Sequence, residues 1–263
     1  MARVRDLASV GMGAVTGLYS TYSFQSAILI DNKSVYDNVK KSLEAVSSER
    51  EGYSGVRSVV GSYGDTRLAL VYTPSYPQAI AEVVAELYLL GARRVILIGR
   101  GYRLSRRVTP GSVLIALGAV PRDSVSRRIA PSGLPLLAAQ ALYSRARSVS
   151  MVRFPDLEWI YGLTVTLDSA RMKWTLPEAE EFVGTRGVFT LESMVAPLYA
   201  LQYEYTNLEA LAFVTAFRQY SRVLTPLESP AETYTRLLER ESKIQSILYT
   251  VALETLSSRE EEG

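Results

Sequence analysis

The chain contains neither histidine nor cysteine, and this double absence limits the chemistry that any site in it could perform. Imidazole general bases, thiolate nucleophiles, disulfide bonds and zinc sites of the usual ligand type are excluded. Catalysis would have to use carboxylates, hydroxyls, lysine, arginine or backbone dipoles. No residue stands out as catalytic on these grounds, and no metal site is predicted.

A run of arginines follows an apolar segment at 95–98. It consists of Arg100, Arg103, Arg106 and Arg107. Converging guanidinium groups bind phosphate, and Arg100 is the candidate for such an anion site. A solvated loop or a subunit contact explains the same run, and we favour that interpretation because arginines usually face solvent. A nucleic-acid-binding module that uses this loop is a third hypothesis, but the net charge of +2 makes nucleic acid an improbable partner.

Two carboxylates lie where predicted elements end or begin, and each has a ligand-binding and a structural interpretation. Glu192 opens a predicted helix, where it is either a ligand-facing group or a carboxylate stabilised by the helix dipole. Asp168 follows a predicted strand, and for it we favour a turn-capping role. The glycine-rich segment GMGAVTG at 11–17 lacks the lysine and the strand–helix context of a phosphate loop, so it is predicted to be a flexible lead-in.

Alternating apolar segments and turn residues predict the elements that would position these side chains. Strands are predicted at 26–30, 55–62, 66–72, 95–98, 113–120, 160–167, 188–191 and 210–217, with a break at Gly99. Helices are predicted at 34–45, 76–90, 133–147 and 192–205, and a last helix follows the capping pattern Ser229, Pro230 and Glu232. This order predicts a single α/β domain with a central mixed, partly barrel-like sheet flanked by helices. Its limits are predicted at 26–258, after a lead-in at 1–25 and before a charged tail at 259–263.

Composition agrees with one globular domain. A length of 263 residues is sufficient for one sizeable core. No segment approaches the roughly 18 consecutive apolar residues that span a bilayer, and the mildly apolar N-terminal run is too rich in glycine and serine for a signal peptide. We therefore predict a cytoplasmic protein without a membrane partner. The excess of arginine over lysine fits a thermophile, although a GC-rich genome gives the same bias.

The thirty residues at 91–120, GARRVILIGRGYRLSRRVTPGSVLIALGAV, resemble the nucleoside phosphorylase family (purine and uridine phosphorylases and their hydrolytic relatives). In that family a strand that ends in Arg-x-Gly-(Ser/Thr)-x-Gly enters the phosphate site, and a Gly-Asp turn leads to the next strand. Leu97 stands where the family has its phosphate arginine. Arg100 replaces the small hydroxyl residue, and Tyr102 replaces the second glycine.

Further positions follow the same resemblance along nearly the whole chain. Tyr36 occupies the arginine position of the family's Gly-Asp-Pro-x-Arg motif, and Arg50 is the candidate for the arginine that a neighbouring subunit contributes. Asp168 keeps the aspartate of Ser-x-Asp-x-Phe without the aromatic residue, which Trp174 is a candidate to replace. Glu192 matches the glutamate that binds ribose hydroxyls. No carboxylate follows the strand at 210–217, where purine phosphorylases have their general acid.

The resemblance therefore implies a nucleoside phosphorylase-like protein whose phosphate and base-acid sites are eroded. It would be a non-catalytic or weakly active subunit that binds a nucleoside or nucleobase, in a homo-oligomer or in a hetero-oligomer with a paralogue. An active phosphorylase or nucleosidase of nucleoside salvage, with a remodelled anion site, is the alternative. No cofactor is predicted, and phosphate would be the co-substrate of an active enzyme.

Overall fold

Strands and helices alternate along the chain in a computed structural model that describes residues 13–105, 108–130, 133–169, 181–183, 185–219 and 231–257. The strands are β1 (Ser26–Ile30), β2 (Arg50–Glu51), β3 (Arg57–Tyr63), β4 (Thr66–Tyr72), β5 (Arg94–Arg103), β6 (Ser112–Pro121), β7 (Leu136–Leu137), β8 (Trp159–Thr166), β9 (Val188–Glu192) and β10 (Glu209–Gln219). The helices are α1 (Lys33–Val39), α2 (Pro77–Leu89), α3 (Ser126–Ile129), α4 (Gln140–Arg153), α5 (Val195–Glu204) and α6 (Ala231–Ser257).

All the described strands belong to one mixed sheet. Its order is β10-β6-β8-β9-β5-β1-β4-β3-β2, with β7 beside β6. Because β10 also pairs with β5, the strands β5, β10, β6, β8 and β9 close a ring. Strand β1 is parallel to both of its neighbours, whereas β3 and β4 form an antiparallel hairpin. The predicted mixed and partly barrel-like sheet is confirmed, and both strands of the 91–120 segment belong to it.

Helices cover both faces of the sheet and bury two apolar cores. Helices α2 and α5 contact each other on one face, and α6 contacts α1 and α4 on the other. Along β1 the side chains alternate between the cores, with Ala27 and Leu29 in the first and Ile28 and Ile30 in the second. This alternation is the period of two that a strand imposes, and it explains why a strand covered on both faces is apolar throughout.

The predicted break of the arginine-bearing strand at Gly99 is wrong, since β5 continues to Arg103. Glycine is present here because neighbouring groups approach the backbone closely. A Cβ atom on Gly99 would lie 2.4 Å from the Met194 Cε atom, and one on Gly101 would lie 2.7 Å from the Val214 Cγ1 atom. The two glycines therefore allow Met194 and Val214 to pack closely against the backbone of β5, and the strand continues without a turn.

Several predicted helix limits also differ from the structure. The helix predicted at 34–45 is α1, which begins after Asn32, because the Asn32 Oδ1 atom accepts a hydrogen bond from the Ser34 amide at 3.1 Å. The helix predicted at 133–147 is α4, and part of the preceding segment forms β7 against β6. Helix α5 begins three residues after Glu192. Ser229, Pro230, the first twelve residues and the tail at 259–263 lie outside the described residues, so the predicted domain limits stay predictions.

Candidate functional site

A cavity of about 320 Å³ lies where the carboxyl ends of several strands meet. Its wall includes Asp31 after β1, Tyr72 at the end of β4, Arg100 and Tyr102 near the end of β5, and Glu192 at the end of β9. Helix α6 adds Glu241 from the other side. The carboxyl ends of strands in α/β sheets are common ligand sites, so this cavity is the candidate functional site.

Arg100 lies in the cavity wall and forms an ion pair with Asp31. The Arg100 Nε atom donates to the Asp31 Oδ2 atom at 2.9 Å, and the Nη2 atom donates to the Asp31 backbone oxygen at 3.0 Å. Burial acts to lower the pKa of the Arg100 guanidinium, but the Asp31 charge and hydrogen bond raise it by more, so the group stays protonated. The solvated-loop interpretation is therefore wrong for Arg100, whose side chain is 27% exposed.

Two side chains besides Arg100 hold the Asp31 carboxylate. The Ser75 hydroxyl donates to Oδ2 at 3.1 Å, and the Gln245 amide of α6 donates to Oδ1 at 3.2 Å. Gln245 in turn accepts a hydrogen bond from Asn32 at 2.9 Å. Asp31 is 4% exposed, so this shell replaces the water that would otherwise solvate its charge.

Glu192 faces the cavity and also holds the start of α5. Its Oε2 atom accepts hydrogen bonds from the amides of Met194 and Val195, the latter at 2.8 Å. Its Oε1 atom accepts from the Thr166 hydroxyl, while the Thr164 hydroxyl lies 3.3 Å away and also donates to the Thr190 carbonyl. Burial raises the pKa of the Glu192 carboxyl to about 7, although these hydrogen bonds oppose the shift.

These hydrogen bonds show that the Glu192 carboxylate caps the start of α5, which agrees with the structural one of the two roles predicted for it. A carboxylate accepts about four hydrogen bonds, and three of these positions are filled by well-placed protein donors. The Thr164 hydroxyl, at 3.3 Å, is the donor at the fourth position. The predicted contact with ribose hydroxyls therefore stays a prediction, and a ligand would have to compete with a protein donor to make it.

Asp168 does not line the cavity. It is exposed, and its Oδ1 atom accepts hydrogen bonds from the Ser124 amide and hydroxyl, both at 2.8 Å. These contacts fit the turn-capping role that we favour from the sequence. The next residue, Ser169, is the one that lines the cavity. The predicted role of Asp168 in ligand binding stays a prediction without a described contact to support it.

The neighbouring Asp123 is fully buried and was not singled out in the sequence. Its Oδ1 atom accepts hydrogen bonds from the amides of Val125 and Ser126, the latter at 2.7 Å. Burial raises the pKa of this carboxyl, and the charge of Asp168 acts in the same direction. Within the described residues no group of three or more carboxylates is placed to hold a metal ion.

The positions where the family has phosphate arginines lie in the apolar cores. Leu97 and Tyr36 are both 0% exposed, and neither lines the cavity. Burial raises the pKa of the Tyr36 hydroxyl, so this side chain stays neutral. Phe217, near the end of β10, is also buried among apolar residues. The structure thus places no cation or acid at these three positions.

Of the remaining predicted site residues, Arg50 does not line the cavity, and the others fall outside the part of the chain that the structure describes. Arg50 is exposed on the edge strand β2, and its Nε atom lies 3.4 Å from the Tyr22 hydroxyl. Trp174, Arg106 and Arg107 lie outside the described residues. The role of Arg50 as a neighbour's arginine stays a prediction.

The glycine-rich segment that superficially suggested a phosphate loop does bind an anion, but the anion is a side chain of the same protein. The amides of Gly13 and Val15 donate to one oxygen of the Glu86 carboxylate, and the Thr16 amide donates to the other at 2.6 Å. Glu86 lies on α2 and is 7% exposed. Several amides of one short segment thus point at the same carboxylate, and they fasten residues 13–16 to α2.

Sequence reasoning missed three cavity or anchoring carboxylates, namely Asp31, Glu86 and Glu241. Asp31 had a usable signal, because it directly follows an apolar strand at the edge where ligands gather. Glu86 and Glu241 lie on helices, where a carboxylate is ordinarily solvated. Nothing in their local sequence distinguishes them from surface residues.

The architecture is that of the nucleoside phosphorylase-like α/β proteins, as the resemblance predicted. Two solved structures of uridine phosphorylase from Vibrio fischeri superpose on this chain, one of them complexed with 6-hydroxy-1-naphthoic acid. Each has a TM-score of 0.79 and 16% sequence identity, over 92% of this chain and 95% of the other. At that identity the similarity shows the fold alone. No protein-family model and no curated protein matches the sequence.

One further observation concerns membranes. Among the helices that the structure describes, none combines the length and the apolar character needed to cross a bilayer.

Proposed function

We propose that this protein binds a nucleoside or nucleobase in the cavity and catalyses phosphorolysis weakly or not at all. The supporting observation is the ion pair between Arg100 and Asp31. Bound phosphate requires converging cationic and amide donors. The guanidinium in this cavity wall is already balanced by a buried carboxylate, and the carboxylates of Glu192 and Glu241 line the same cavity.

The burial of Leu97 and Tyr36 supports the same proposal. Phosphorolysis needs phosphate held as a nucleophile beside the anomeric carbon, in a site that stabilises an oxocarbenium-like transition state. Each charge-assisted hydrogen bond that an arginine would supply contributes about 1.5–3 kcal/mol. Two absent contacts would reduce the rate by about two or more orders of magnitude.

The cavity supports ligand binding better than a purely structural role. Its volume of about 320 Å³ falls within the range of small-molecule sites. Tyr72, Tyr102 and Ser75 line it together with the charged residues. Aromatic faces and a few fixed polar groups suit a flat heterocycle with a sugar.

The proposal includes assembly as a homo-oligomer or with a paralogue that supplies the missing catalytic groups. Arg50 lies on the exposed edge of the sheet, where it could reach a neighbouring subunit but not the cavity of its own. No cofactor enters the proposal, and phosphate would be a co-substrate only of a weakly active protein.

The test combines an activity assay with a binding measurement. Purified protein is incubated with inosine, adenosine, methylthioadenosine or uridine, with and without phosphate, and release of the base is followed. Calorimetric titration with adenosine and uridine then measures binding. We expect weak binding and little or no turnover. Phosphate-dependent turnover at ordinary enzyme rates would contradict the loss of phosphorolysis, and the absence of any binding would contradict the ligand-binding role.

Hydrolysis of a nucleoside is the second candidate function, because it needs no phosphate cation. The observation that favours it is the cavity-facing Glu192, whose carboxyl has its pKa raised by burial to about 7, near the range suited to proton transfer. Base release that is equal with and without phosphate, and that is lost in Glu192→Gln, would support it. Base release that the variant retains would exclude Glu192 as the acid or base.

A further inference from the structure

The Arg100 guanidinium has N–H groups that no acceptor among the described residues engages. Its Nε and Nη2 atoms both donate to Asp31. No residue in the described part of the chain accepts a hydrogen bond from the Nη1 atom, which carries two N–H groups. Because the Arg100 side chain lines the cavity and is 27% exposed, while the Asp31 side chain is 1% exposed, the two N–H groups of Nη1, with one further N–H on Nη2, are the donors left for a ligand.

The charges around this donor favour an uncharged acceptor. Asp31, Glu192 and Glu241 are each 4% exposed or less, and all three line the cavity with Arg100. The Asp31 carboxylate cancels the guanidinium charge at 2.9 Å. An anionic ligand would add a further negative charge beside the Asp31 and Glu241 carboxylates, and like charges at short distance repel each other. A carbonyl oxygen accepts a hydrogen bond without that repulsion.

We infer that Arg100 determines the ligand specificity of the cavity by donating from Nη1 to an uncharged carbonyl oxygen, while Asp31 positions the guanidinium and repels anions. The ligand class is a neutral nucleoside or nucleobase whose heterocycle carries a carbonyl group. Phosphorylated nucleotides and inorganic phosphate are excluded by the same arrangement. This inference rests on the proposed nucleoside-binding function and specifies which nucleosides bind.

Inosine and adenosine form a matched pair of probes, because inosine has a carbonyl at position 6 of the base and a proton on the adjacent N1, where adenosine has an amino group and an unprotonated N1. Calorimetric titration of the full chain should give at least tenfold tighter binding for inosine, the effect of about one charge-assisted hydrogen bond. Arg100→Lys keeps a cation for Asp31 but replaces the planar fork with a single ammonium nitrogen, so Asp31 and the ligand carbonyl can no longer be contacted by separate, fixed donor atoms. It should lose most of the tenfold preference.

Arg153→Lys is the control, since Arg153 forms an exposed ion pair with Glu254 at 2.7 Å and does not line the cavity. It should bind both nucleosides as the unmodified protein does. Equal affinity of the unmodified protein for inosine and adenosine would overturn the inference, and so would an unchanged preference in Arg100→Lys. Binding of neither nucleoside would instead contradict the proposed function itself.

The anion-repelling role of Asp31 is tested with inorganic phosphate as the probe. Asp31→Asn keeps the shape of the side chain but leaves the guanidinium charge uncompensated, so phosphate should bind at least tenfold more tightly than to the unmodified protein. Circular dichroism checks that the variant is folded. Glu241→Gln, which removes a second carboxylate from the cavity, should shift phosphate affinity in the same direction. Unchanged phosphate affinity in both folded variants would overturn this role.

Discussion

The Oδ2 atom of Asp31 lies 2.9 Å from the Nε atom of Arg100, and this contact joins the end of β1 to the last part of β5. The two strands are adjacent and parallel, with Ile30 paired with Ile98, so the register brings the residues after these positions together. The ion pair has two consequences. It balances two charges that would be costly to bury alone, and it removes the net positive charge that a phosphate site requires.

Removal of Asp31 should destabilise the protein strongly. Asp31→Ala leaves the largely buried Arg100 without its counter-charge, and breaking such a pair costs about 3 kcal/mol or more. The matched control is Asp37→Ala, because Asp37 is 40% exposed and contacts Lys40 at 3.1 Å on the surface. That change should cost less than about 1 kcal/mol. Urea denaturation of both variants measures the free energies of unfolding, and equal losses would show that the buried pair contributes no more than a surface one.

Glu192 should make stability depend on pH. Burial raises its pKa from 4.5 to about 7 in the folded protein, so the folded state binds more protons than the unfolded state between these values. The free energy of unfolding should therefore fall as the pH rises from about 4.5 to about 7, by up to ~3 kcal/mol from this group. Glu192→Gln removes the titration and should flatten that part of the curve.

Denaturation at several pH values across this window provides the measurement for Glu192. The control is Glu204→Gln, because Glu204 is exposed at the end of α5. This variant should show the same decrease of unfolding free energy with pH as the unmodified protein. If the free energy of unfolding depended on pH in the same way in the unmodified protein and in Glu192→Gln, the Glu192 carboxyl would have the same pKa in the folded and unfolded states, which would contradict the prediction.

Glu86 should anchor the residues at 13–16. Glu86→Gln replaces one oxygen with an NH₂ group that cannot accept a hydrogen bond from the backbone amides. The loss of charge-assisted contacts should cost about 2 kcal/mol, and the amides of Gly13, Val15 and Thr16 should exchange hydrogen faster. Glu82→Gln, one turn earlier on α2, is the control because Glu82 contacts only the exposed Gln78 among the described hydrogen bonds. Unchanged exchange at these three amides would argue against the anchor.

Assembly should be visible as a mass above that of one chain. Leu137 and Tyr203 are 56% and 58% exposed, and Gln202 links their segments by donating to the Leu137 carbonyl at 2.9 Å. Exposed apolar side chains on neighbouring segments are typical of protein contacts. Light scattering should give a multiple of 29.1 kDa, and Leu137→Asp should lower it, whereas Val152→Asp on α4 should not. A single-chain mass for the unmodified protein would contradict the predicted oligomer.

The order of strands and helices along the chain and the mixed α/β architecture could be predicted from the sequence, because apolar runs bounded by turn residues are local signals. Strand β4 was predicted with the residues at 66–72 that the structure gives it. The turn between β3 and β4 and the end of α2 near Gly91 could also be predicted from local residues. Gly91 has a φ of 115°, a conformation that glycine adopts without strain.

The partners of the charged residues were decided only by the tertiary structure. Arg100 lies 69 positions from Asp31 in sequence, and Gln245 lies 214 positions from it. The register of β5 against β1 and the packing of α6 over their ends bring these groups together. The same local pattern of arginines fits a solvated loop, and the glycines at 99 and 101 fit a turn. Contacts between distant segments select among such alternatives, since a side chain is neutralised, solvated or capped by groups that its own neighbours in sequence do not specify.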